Sequence, residues 1–164
     1  MKNSYEVRAR KFVMLIAPYL VGCKTVYELH SGLYDFLEDH SNRRVRFNYG
    51  ISRVAMITSD YVIKIDYNTR SNFGTCASEL ENYYLACQAG YEKYFAKITR
   101  FTYMDRDFYI MPKISNIDEE DDDAPYKCDD ELAEWLDENF YDLHSGNYGW
   151  KDGHIVIFDY AAAK

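Results

Sequence analysis

The feature that most narrows the fold is a change of hydrophobic period near Asn42. Before it, Phe12, Leu15, Ile16, Tyr19 and Leu20 recur at three- and four-residue spacing, and Val26, Leu29, Leu33, Phe36 and Leu37 do so again after Gly22. That is the spacing of helices buried along one face, and it predicts two opening helices, Tyr5 to Leu20 and Lys24 to Asp39. After it, Val45 with Phe47, Val54 to Ile57 and Val62 to Ile65 are short β-branched runs, the last two parted by Ser59-Asp60. Three antiparallel strands follow from that pattern. Cys76 to Ala89 contains no Gly or Pro, places Leu80, Tyr83, Tyr84 and Cys87 on one face and stops at Gly90, the residue a helix C-cap favours. Ile98 to Tyr103 and Phe108 to Ile114 flank a turn at Asp105-Arg106-Asp107. A run of six carboxylates, residues 118–123, repels itself and reads as a solvated connector. Leu132, Trp135, Leu136 and Phe140 restore helical spacing up to Tyr141; an irregular loop and a last strand, Ile155 to Phe158, complete an α+β chain.

Composition removes several function classes. At 164 residues the chain holds one compact unit or two small lobes. Its 27 acidic against 19 basic residues give a net charge of -8, which disfavours a nucleic-acid backbone as partner. The longest apolar stretch, Phe12 to Gly22, is interrupted by Pro18 and falls well short of the roughly 20 residues a bilayer needs, so no membrane partner is expected. Cys23, Cys76, Cys87 and Cys128 form no C-x-x-C pair and read as reduced thiols of a cytoplasmic protein. His30, His40 and His154 stand apart from one another and from the cysteines, which gives no zinc pattern. Ser145 lacks the G-x-S-x-G surroundings of a hydrolase nucleophile.

Polar chemistry concentrates in Asp142-Leu143-His144-Ser145-Gly146-Asn147, with Asp159 at the end of the following apolar strand. Asp142 on a loop suits acceptance of a proton from an attacking hydroxyl, and Asn147 and Asp159 offer the hard oxygens that Mg²⁺ takes beside phosphate. Gly146 lets the chain turn between them. The plain alternative makes Asp142 and Asn147 turn formers, and His144 a hydrogen-bonding residue inside the loop.

With those residues in place, the chain resembles the protein-kinase-like superfamily, in particular its aminoglycoside-phosphotransferase-like branch, in which a D-L-H-x-G-N loop precedes a strand ending in a metal-binding Asp. Tyr61-Val62-Ile63-Lys64-Ile65 is similar to that family's V-A-I-K strand, and Glu79 lies where the family places the helix glutamate that pairs with the lysine. Glu81 competes, but the two carboxylates point to different helix faces and the spacing to Gly90 favours Glu79. The match spans residues 43–160 in the family's order. It implies a minimal kinase-like fold: an N-terminal helical extension over 1–42, an N-lobe over 43–114 and a truncated C-lobe over 115–164. It also implies ATP and Mg²⁺ as cofactors. Lys64 would hold the phosphates, Glu79 would orient Lys64, and the turn at Gly50 would cover the phosphates. Met111 and Lys113 would meet adenine, Asn147 and Asp159 would bind the metal, and Asp142 would act as catalytic base on a hydroxyl acceptor.

Two departures matter. Phe140 stands where the family has His, and little chain follows Asp159, so the acceptor platform is missing and the opening helices are candidates to cover what it would have covered. The short C-terminus also raises closure by a second copy, a homodimer. Short proteins with a D-L-H-x-G-N-x-G loop and a following D-Y resemble bacteriophage kinase-like proteins, whose acceptor would be a host protein in the host cytoplasm. The same truncation implies the competing expectation, an inactive kinase-like binding protein or inhibitor.

Overall fold

The computed structural model describes residues 4–41, 44–67, 75–116, 130–141 and 143–162, the side chain of Ser145 excepted. The acidic run 118–123 and Asp142 lie outside the described residues. The fold is α+β and forms two compact units, one of Met1–Asn72 with Thr99–Lys113, the other of Phe73–Ile98 with Ile114–Lys164.

The first unit is a five-stranded antiparallel sheet covered on one face by two helices. Helix α1, Tyr5–Ile16, ends earlier than its periodicity predicts, because Pro18 tightens Ala17–Leu20 into a 3-10 turn. Helix α2, Val26–Asp39, starts at Thr25, where a reciprocal cap sets the boundary. The Glu28 amide donates to Thr25 Oγ1 at 3.2 Å and the Thr25 amide donates to Glu28 Oε2 at 2.9 Å. Strands β1 (Arg46–Tyr49), β2 (Arg53–Ile57), β3 (Tyr61–Asp66), β4 (Thr99–Tyr103) and β5 (Arg106–Pro112) lie in the order β1-β2-β3-β5-β4. Ala9, Phe12, Val13 and Ile16 of α1 and Leu29, Leu33 and Phe36 of α2 share one core with Val54, Met56, Ile63, Ile65, Phe108 and Ile110. The alternate apolar positions of β2, β3 and β5 need a cover, and the opening helices supply it.

The β4–β5 turn also differs from its reading. Met104 and Asp105 both take positive φ, 51° and 58°, while Tyr103 pairs with Arg106. The hairpin therefore closes on two residues, and Arg106 belongs to β5 rather than to the turn. The chemistry of Asp105-Arg106-Asp107 misleads here because Met104, the first turn residue, carries no turn signal.

The second unit contains α3 (Cys76–Gln88), α4 (Asp130–Asn139) and a three-stranded sheet in the order β6-β7-β8, built from Ser115–Asn116, Tyr148–Lys151 and His154–Ile157. Strand β7 occupies part of what reads as irregular loop. Gly149 hides it: a Cβ there would sit 1.9 Å from the Ser115 carbonyl oxygen of β6, so the strand gives up a patterned side chain to let the backbones approach. Phe95, Trp135, Phe140 and Tyr160 pack ring against ring with centroids 5.1–5.9 Å apart. Phe140, anomalous by motif, is a core residue of this cluster. Helix α3 is turned from its expected face: Cys76, Glu79, Asn82 and Ala86 are buried and Tyr84 is exposed. Among the described residues no helix is long and apolar enough to cross a membrane.

Candidate functional site

Four of the residues singled out by sequence lie in the first unit. Lys64 occupies the middle of β3, paired with Ala55 of β2 and Tyr109 of β5, on the sheet face opposite the helices. It is 5% exposed. Lysines are rarely so buried unless paired, so this one is not an ordinary residue of a wet strand face. Gly50 closes the β1–β2 hairpin, its amide donating to the Arg53 carbonyl at 2.9 Å, with Ile51 fully exposed at the tip. Met111 is buried in β5 opposite Val62. The Lys113 amide donates to the Asp60 carbonyl at 3.1 Å, and Pro112 has no amide proton, so this segment already commits its backbone donor to the sheet.

The second unit holds Glu79, Asn147 and Asp159. Asn147 ends a 3-10 turn, Ser145–Asn147, whose amide bonds the His144 carbonyl at 2.8 Å. The Asn147 carbonyl in turn accepts from the amides of Phe158, at 2.8 Å, and Asp159, at 3.1 Å. The loop asparagine and the strand-end aspartate are thus fastened to each other through the backbone. His144 supports the same turn: its Nδ1 accepts from the Gly146 amide at 3.1 Å. A Cβ at position 146 would lie 2.8 Å from that ring, so a side chain there would displace the exposed His144 imidazole from its bond to the Gly146 amide.

Glu79 is fully buried, whereas Glu81 is exposed. Glu79 Oε1 accepts from the Tyr160 amide at 3.4 Å and Asn82 Nδ2 donates to the Tyr160 carbonyl at 2.7 Å. Residues three apart share a helix face, so α3 grips both backbone groups of the residue that follows Asp159. Tyr160 completes the anchorage by donating its hydroxyl to the Ala96 carbonyl at 2.6 Å. Burial, and after it the charge of Glu79, pushes the Tyr160 phenol well above its ordinary value; Tyr83, Cys87 and Asp159 act in the same sense. Asn82 and Tyr160 escaped the sequence reading because both act on main-chain groups. The only signal was the polar pair Glu79 and Asn82 on one face of α3.

Of the expected metal ligands, the described residues of the second unit include one carboxylate, Asp159, and one amide, Asn147. Among the described residues no cluster of three His, Cys, Asp or Glu could hold a metal ion. The donor set suits a hard cation that keeps water or phosphate oxygens in its shell, which is the habit of Mg²⁺ rather than of Zn²⁺.

Neither protein-family models nor curated proteins match this chain. Among solved structures, the Legionella pneumophila Lpg2603 kinase bound to IP6 aligns with 73% of this chain at 11% sequence identity and a TM-score of 0.41. The chain spans 60% of that kinase's length.

Proposed function

We propose that this protein is an ATP- and Mg²⁺-dependent phosphotransferase of kinase-like type, moving the γ-phosphate to a hydroxyl acceptor. The observation that carries the reading is the pair of hydrogen bonds that the amides of Phe158 and Asp159 donate to the Asn147 carbonyl. It brings to adjoining backbone positions the two oxygen-bearing residues singled out by their chemistry and by the family resemblance. The buried Lys64 on the third strand and the buried Glu79 on the next helix are the second support, since kinases keep the phosphate lysine on such a strand and its glutamate on such a helix.

In this reading Lys64 holds the nucleotide phosphates, Glu79 orients Lys64, and Asn147 and Asp159 hold Mg²⁺. The cation supplies charge neutralisation at the phosphate oxygens. Asp142 takes the proton from the acceptor hydroxyl; that oxygen bonds to the γ-phosphorus, the bond from phosphorus to the bridging oxygen of ADP breaks, and ADP leaves with the electron pair. Positioning and electrostatics supply nearly all of such catalysis, so loss of a metal ligand costs orders of magnitude. Asp159→Asn should abolish transfer from γ-labelled ATP, by at least about a hundredfold, with the far-ultraviolet circular dichroism unchanged. Equal transfer by both proteins refutes the assignment. Transfer of the α-label would instead make the reaction nucleotidyl transfer. Nucleotide binding without any transfer would identify a kinase-like binding protein.

A further inference from the structure

We infer that the end of the sheet remote from Gly50 carries a separate site for a compact phosphate-type polyanion. A cavity of about 620 Å³ opens there, lined by Arg44, Arg46, Lys113, Thr58 and Ser59 with the apolar Val45 and Ile57. Among the described residues its lining holds three cations and no carboxylate, on a chain whose net charge is -8. All three cations are exposed, and none forms an ion pair with a described residue. The nearest acid in sequence, Asp60, is already taken: Arg8 donates to its Oδ2 through both Nε and Nη2, and Ser59 donates to its Oδ1 at 3.3 Å. Among the described residues, then, the wall presents positive charge that no carboxylate of the wall offsets.

The geometry sets the arginine pair of this site apart from the turn expected to cover the nucleotide phosphates, although Lys113, expected beside adenine, also lines the cavity. Arg46 pairs with Ile57 at the first position of β1, and Gly50 follows the last. At about 3.3 Å per residue the strand separates them by roughly 13 Å, so one small anion cannot touch both. Arg44 and Arg46 both line the cavity, each bringing a planar guanidinium fork that takes phosphate oxygens bidentately, and Lys113, just after β5, adds a point charge.

The probe is inorganic tripolyphosphate, titrated calorimetrically without Mg²⁺ into wild type, an Arg44→Gln/Arg46→Gln double variant, and Lys64→Met. Wild type should bind, the double variant at least tenfold more weakly, and Lys64→Met within twofold of wild type. The substituted arginines are exposed, so circular dichroism should be unchanged in the double variant. No binding by wild type, or wild-type affinity in the double variant, overturns the site. Loss of binding in Lys64→Met overturns it too, because the anion would then sit at the proposed catalytic lysine. The catalytic reading is judged separately, by phosphoryl transfer in the double variant, which should match wild type.

Discussion

Asn82 contributes to the proposed metal site without contacting it. Its Nδ2 donates to the Tyr160 carbonyl at 2.7 Å in a buried setting, so Asn82→Ala leaves that carbonyl unsatisfied and should cost about 1–3 kcal/mol of stability. Because Tyr160 follows Asp159, the same variant should raise the Mg²⁺ concentration needed for half-maximal transfer while leaving the acceptor KM unchanged; a uniform loss of folded protein would move both alike. Tyr160 itself gives a pH signature. Its phenol is held neutral in the folded chain, whereas in the unfolded chain it loses its proton near pH 10. The unfolded state binds fewer protons above that pH, so stability present below pH 10 is lost as pH rises toward the folded value. Tyr49 and Tyr83, both pushed up to about 12 mainly by burial, act in the same direction between pH 10 and 12. Tyr160→Phe should therefore cost about 1–2 kcal/mol at pH 7, through the bond to Ala96, yet lose less on going to pH 11 than wild type does, as read by urea denaturation. Lys64, Glu79, Asn147 and Asp159 stand out in the sequence as candidates because their types and order carry chemistry. Asn82 and Tyr160 were not, since a side chain that serves a main-chain amide or carbonyl leaves no spacing rule in the sequence.

At the scale of elements, the position of α2 depends on one small residue. Gly32 is buried in α2, and a Cβ there would lie 2.2 Å from the Tyr19 carbonyl oxygen and 3.2 Å from Leu20 Cδ2. Two effects oppose each other in Gly32→Ala: alanine favours a helix over glycine by about 1 kcal/mol, while a backbone clash in a packed core costs about 1–3 kcal/mol or more. The contact is with main chain and cannot rotate away, so the clash should win and the variant should unfold at lower denaturant concentration. A gain in stability would mean that the 3-10 turn Ala17–Leu20 yields readily. This contact also shows where sequence reading stops. Periodicity located α2 to within two residues, because a buried stripe needs its spacing, and short β-branched runs bounded by turn residues located β1 to β3. It could not reveal that a helix interior requires glycine, that β7 sacrifices a side chain at Gly149, or that α3 turns polar groups inward. Those features answer to a neighbouring backbone supplied by another part of the chain.

For the whole molecule, the proposed function makes a demand that neither unit meets by itself. Lys64 belongs to the first unit and Asn147 and Asp159 to the second. Both tryptophans, Trp135 and Trp150, fall in the second unit, so tryptophan fluorescence reports its unfolding while Lys64 lies in a unit with none. MgATP that binds the folded protein stabilises it by mass action, and the tryptophans read that stabilisation in the second unit. At about 100 times its Kd the ligand adds about 2.7 kcal/mol, which for a chain of this size raises the fluorescence-detected midpoint by roughly 5–10 °C. Lys64→Met exchanges a buried amine for an apolar chain of similar length and should leave the ligand-free midpoint of the second unit near that of wild type. It should nevertheless remove most of the MgATP-induced rise. If the full rise persists in Lys64→Met, the nucleotide is held by the second unit alone, and position 64 has no part in binding it.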